Sequence, residues 1–148
     1  SRAYTEQIAA WCAENGVSSS GHLLFEESLN RQIETYGGDF MGIVGGMDVP
    51  GADILHVEAR NLLDENTDIG SVIGIKYVSS AAKNRGKTDV MLEFTPLAKT
   101  NPQFLRDQNR YSAEGATIAT FCGANTFTVI CPDSAFTVPA LRRWQRPV

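Results

Sequence analysis

Hydrophobic positions near the start of the chain recur at helical spacing. Tyr4, Ile8, Trp11 and Cys12 form one stripe, predicting a helix from about Tyr4 to Glu14 that Asn15-Gly16 stops. Ser18-Ser19-Ser20 offers hydroxyl caps for a second helix over His22 to Tyr36. Phe25, Leu29, Ile33 and Tyr36 line its apolar side, Glu26, Glu27, Asn30, Arg31 and Glu34 its polar side, and Gly37-Gly38 ends it.

After Gly38 the period shortens to two. Phe40 to Val44 reads as a short strand broken by Gly42, and Gly45-Gly46 with Pro50-Gly51 marks a loop. Ile54 to Arg60 alternates Leu55, Val57 and Ala59 against His56, Glu58 and Arg60, which predicts a strand; a short helix into Leu62-Leu63 competes. Ile69 to Ser79 predicts a glycine-punctuated strand with Ile69, Ile73, Ile75 and Tyr77 inward. Thr88 to Thr95 predicts its partner, with Val90, Leu92 and Phe94 on one face and Ala81 to Lys87 as the hairpin turn. Pro96 to Gly115 is irregular, with a helical turn around Gln103 to Asn109. A last hairpin pairs Thr117–Phe121 with Thr126–Cys131, and a Pro- and Arg-containing tail runs from Pro139 to Val148.

These elements predict one α+β domain over residues 1–148. Two N-terminal helices (about 4–36) precede a mainly antiparallel β-sheet (about 40–131) and an extended C-terminal arm (about 132–148).

Composition adds boundaries to that picture. A chain of 148 residues with 43% hydrophobic and 20% charged residues can bury a core and lies far from the disordered range. No apolar run reaches the roughly 18 residues that a membrane helix needs. A net charge of −4 argues against coating nucleic acid through bulk charge, although a local basic patch leaves nucleic acid open as a partner. Cys12, Cys122 and Cys131 form no CxxC. Cys122 and Cys131 flank the turn at Gly123-Ala124-Asn125 out of cross-strand register, so three buried thiols in a reducing compartment are expected. A start at Ser1 without Met fits processing, a cleaved signal peptide included; a cytoplasmic or particle-associated protein is the expectation.

Candidate chemistry concentrates at His56-Val57-Glu58-Ala59-Arg60, whose three polar side chains share one strand face. His56 and Glu58 could hold a metal or act as an acid–base pair, while the plain alternative is a solvated face of weakly paired charges. His-x-Glu is also how the zinc deaminase signature begins. The required Pro-Cys-x-x-Cys is missing, however, since Ile130-Cys131-Pro132-Asp133 reverses the order and lacks one cysteine.

Residues 22–80 carry a partial resemblance to nucleases of the PD-(D/E)xK type. Glu27 (or Glu26) on a helix, Asp48 or Asp53, and then Glu58-Ala59-Arg60 follow that order. The resemblance implies Glu27, Asp48, Asp53, Glu58 and Arg60 as catalytic residues around a divalent ion such as Mg2+. Arg60 stands where the family has Lys and cannot serve as a base, and Asp53 lies only five residues before Glu58. Asp89 and Glu93 share a strand face and could flank a cation or simply meet solvent. His22 stands alone beside a helix cap.

Basic residues gather at Lys83, Arg85 and Lys87 on the expected hairpin tip and at Arg142, Arg143, Trp144 and Arg146 in the tail. Arg and Trp are enriched in binding hot spots, so both are expected partner contacts, with a soluble turn and a frayed end as the alternative. The function expected from the sequence is therefore a non-enzymatic binding or assembly module without a cofactor, acting on a protein partner or on itself. In general style it resembles phage and virion structural proteins. A metal-dependent nuclease is the alternative.

Overall fold

The computed structural model describes residues 2–54, 69–94 and 114–129. Along the chain these form α1 (Arg2–Glu14), β1 (Ser20–Gly21), α2 (Leu29–Tyr36), α3 (Phe40–Val44), β2 (Val49–Ile54), α4 (Ile69–Asn84) and β3 (Met91–Phe94). A fifth helix, α5 (114–122), and β4 (Thr126–Val129) follow. No helix among the described residues is long and apolar enough to cross a membrane.

The strands form one sheet in the order β1-β2-β3-β4, and every neighbouring pair is parallel. The expected antiparallel sheet is thereby overturned. A parallel return needs a crossover, and helices supply it: α2 and α3 join β1 to β2, α4 joins β2 to β3, and α5 precedes β4. Both expected hairpins are instead helix–strand units. Ile69 to Ser79 is helical, as are residues 114–122, and Phe40 to Val44 is helical rather than a strand. The second helix begins only at Leu29; residues 22–28 form a loop after β1. The first helix and the stop at Gly37 hold, with Gly37 at φ 62° and its N–H donating to the Ile33 carbonyl.

The core lies between the helices and one face of the sheet. Ala52 and Leu92 project from β2 and β3 toward Phe40 and Val44 of α3, Ile75, Val78 and Ala82 of α4, and Ala119 and Cys122 of α5. Ile75, Val78 and Ala82 fall at helical spacing and are fully buried, whereas Ile73, expected inward, is 41% exposed. Small side chains at Ala52, Ala82 and Ala119 bring α4 and α5 close to the strands. Cys12 and Cys122 are buried free thiols, and Cys131 lies outside the described residues.

Side chains stitch the N-terminal edge of the sheet. The N–H and Oγ of Ser19 both donate to Asp48 Oδ2 at 2.8 Å, and the Asp48 N–H donates back to Ser19 Oγ at 2.9 Å. That reciprocal clasp locks β1 to β2. Asn125 does the same between β3 and β4: its Oδ1 accepts from the Val90 N–H and its Nδ2 donates to the Thr88 carbonyl, both at 2.9 Å. Lys87 adds a third stitch by donating to the Met47 carbonyl. At the outer layer, Arg2 clamps Asp39 at 2.7 and 2.8 Å, tying α1 to α3 through an exposed pair of modest worth.

Asp48 carries the sharpest stability test. The two Ser19 donors hold its carboxyl below the ordinary value of 3.8. A depressed carboxylate stabilises the fold above its unfolded pKa, and the contribution fades as pH falls through the lowered folded value. Asp48→Ala should cost about 1–2 kcal/mol at pH 7, since it leaves a buried serine unsatisfied. Urea melts of wild type and Asp48→Asn should differ at pH 7 and converge toward pH 2.

Candidate metal centre at the C-terminal ends of the strands

Parallel strands deliver all their C-terminal ends to one edge, where open sheets with helical crossovers usually bind ligands. Here β1 runs into His22, Asp53 is the next-to-last residue of β2, and Glu93 is the next-to-last residue of β3. The register pairs Asp53 directly with Glu93. Strand alternation points both away from the face that carries Ala52 and Leu92. One donor atom from each of His22, Asp53 and Glu93 lies within 4.8 Å of the others.

The loop after β1 places the imidazole. His22 Nδ1 lies 2.8 Å from the Leu23 carbonyl and 3.2 Å from Glu26 Oε1, so an Nδ1 proton is shared between two acceptors. Nε2 is left facing Glu93 Oε2 at 3.4 Å. Behind the ring, Glu26 is only 3% exposed, and Gln32 Nε2 holds its backbone carbonyl at 2.7 Å. The Tyr36 hydroxyl accepts from the Leu24 N–H at 3.0 Å. Phe25 takes φ 67°, a left-handed conformation costing about 1–3 kcal/mol in a side chain of that bulk, and the Arg31 guanidinium sits 5.0 Å above its ring. Such strain persists only where the surrounding structure holds the residue in place.

Electrostatics follow from that geometry. The hydrogen bond to Glu26 raises the His22 pKa to about 9, against the opposing effect of burial. Burial first, then the charges of Glu93, Glu26 and Glu27, push the Asp53 carboxyl above its ordinary range, while His22 pulls it back. Asp53 Oδ1 is buried and has no hydrogen-bond partner among the described residues. A carboxylate with one buried, unpartnered oxygen, set beside a second carboxylate and an imidazole, makes the cluster a candidate for a cation.

The donor set fits a divalent transition ion. Ligands about 2.1 Å from a tetrahedral ion are about 3.4 Å apart. His22 Nε2 and Glu93 Oε2, now a direct ion pair, stand at 3.4 Å, and the Asp53 donor lies within 4.8 Å of both. With its pKa raised to about 9, His22 must give up its Nε2 proton to a metal. Nδ1, bonded to a carboxylate and a carbonyl, then keeps its own proton and leaves Nε2 as the ligand, a support that commonly tunes affinity by 10–100-fold.

Of the residues singled out in the sequence, Asp53 and Glu93 belong to this cluster. Glu27 is exposed beside it, near enough to act on Asp53. Asp48 lies at the opposite edge as a structural clasp. His56, Glu58 and Arg60 lie outside the described residues, as do Arg142, Arg143, Trp144 and Arg146. Lys83 and Arg85 are exposed at the end of α4 rather than on a hairpin tip, and Lys87 is spent on the Met47 carbonyl. His22 was read only as a lone residue beside a helix cap, Glu26 only as the alternative to Glu27 in the nuclease set, and Glu93 was paired with Asp89, which lies before the start of β3. The visible signal for the first two was their i, i+4 spacing.

No family model, curated protein or solved structure matches this chain. The centre therefore stands on its geometry.

Removing the imidazole leaves Glu26 buried without its partner. In metal-free buffer, His22→Ala should cost about 3 kcal/mol, as breaking a buried pair does. Adding Glu26→Gln should recover most of that loss. A double-mutant cycle from urea denaturation measures the coupling, and simple additivity would contradict the pairing.

Proposed function

We propose that this chain is a metal-dependent hydrolytic module whose centre is His22, Asp53 and Glu93, acting on a phosphoester. The single supporting observation is that one donor atom from each of these three converges within 4.8 Å at the C-terminal edge of the sheet. One nitrogen and two carboxylate oxygens suit Zn2+ or Mn2+ and leave room for water and substrate. A bound ion there would supply an ionised water near neutral pH and a counter-charge for a phosphoryl oxygen. Within the chain, Glu26 orients His22, and His22, Asp53 and Glu93 would hold the ion. The acid-rich surroundings favour a reaction in which the cation, not the protein, meets the anionic substrate.

Metal chemistry was the alternative drawn from the nuclease resemblance, and this proposal keeps it with a different ligand set. The binding-module reading has lost its hairpin. Its C-terminal arm, Arg142, Arg143, Trp144 and Arg146, lies outside the described residues. The described residues add an outward stripe on α1, where Tyr4 and Trp11 are 67% and 61% exposed. A stripe without a pocket or complementary charge supports less than a converged donor set does.

Calorimetric titration with Zn2+ and with Mn2+ should show one site per chain. Asp53→Asn and Glu93→Gln should each weaken binding at least 10–100-fold, the scale set by loss of mere supporting groups. Metal-dependent cleavage of bis(p-nitrophenyl) phosphate should vanish in Asp53→Asn. Equal affinity in wild type and both variants would sink the proposal.

A further inference from the structure

Between the metal-centre loop and α4 there is no room for a side chain. A Cβ built on Gly74 would stand 3.0 Å from Glu26 Cβ and 3.1 Å from the Glu26 carbonyl carbon and oxygen. One on Gly70 would stand 2.6 Å from the Glu27 carbonyl oxygen and 3.3 Å from Glu27 Cβ. These glycines are one helical turn apart on a shared face of α4, so the backbone of Glu26 and Glu27 lies in a groove cut by two missing side chains. Glu26 in turn holds His22 Nδ1 at 3.2 Å. The path from helix to ligand is short and rigid: glycine face, Glu26 backbone, Glu26 carboxylate, imidazole.

We infer that Gly70 and Gly74 are positioning residues for the metal centre, forming a seat on α4 that sets where His22 stands relative to Asp53 and Glu93. The inference rests on reading those three residues as metal ligands. Geometry favours this role over a merely permissive one. Glycine is the poorer helix former, and nothing in the winding of α4 calls for it at these positions. The nearest atoms at Gly70 are backbone, which yields only by moving the whole loop. A displacement of a few tenths of an ångström at Glu26 passes to the imidazole through a single hydrogen bond. Metal affinity is sensitive to such outer support by about 10–100-fold.

The test compares Gly74→Ala, Gly70→Ala and Lys76→Ala, the last on the exposed side of the same helix, in the full chain. Gly74→Ala should keep the wild-type circular dichroism and weaken Mn2+ binding at least tenfold, while Lys76→Ala binds as wild type. In metal-free samples the imidazole NMR signals of His22 should shift in Gly74→Ala and stay in place in Lys76→Ala. Should Gly70→Ala fail to fold, Gly74→Ala decides, because its contacts call for only a small shift. A folded Gly74→Ala with unchanged His22 signals and unchanged Mn2+ affinity overturns the seat. If wild type binds no Mn2+, the metal reading falls on its own, and the NMR comparison still decides whether the seat positions His22.

Discussion

Pairing Asp53 with Glu93 on adjacent parallel strands sets two carboxylates side by side, about 5 Å apart at the backbone. Like charges at that spacing on a partly buried surface either raise a carboxyl's pKa, as at Asp53, or draw in a cation. His22 answers them, with Nε2 against Glu93 and Nδ1 against the buried Glu26. Remove the register and the demand disappears, along with the reason for the loop after β1. The arrangement of the molecule is best understood from that pair outward.

The two edges of the sheet divide the work. At the N-terminal edge, Asp48, Asn125 and Lys87 spend their polar atoms on backbone and serine partners, which fixes how each strand starts beside its neighbour. At the C-terminal edge, polar atoms are left facing each other or unmatched. Parallel topology makes this separation possible, since every strand begins at one edge and ends at the other. Rigid stitching upstream lets the downstream carboxylates be held where they would not choose to sit, as does the strained backbone of Phe25.

Several elements were legible in the sequence because they depend on neighbours along the chain. Helix α1, the left-handed glycine at Gly37 and the apolar alternation of β3 follow from local periodicity and backbone sterics. Helix α4 was misread for a physical reason. Ile, Val and Tyr favour strands and two glycines disfavour helix, yet burial of Ile75, Val78 and Ala82 against Ala52 and Leu92 outweighed that preference. Strand β1 has only two residues, too few to alternate visibly.

By itself the sequence determined the outline of a globular chain with alternating polar and apolar segments, and it marked Asp53 among the residues able to hold a metal. Pairing partners, strand direction and the company of Asp53 were decided only in three dimensions. The alternation of a strand says which face is buried but not which strand lies beside it, nor in which direction it runs. His22, Asp53 and Glu93 are far apart in sequence, so no local pattern connects them. Their meeting depends on two crossovers and one register, which long-range packing alone supplies.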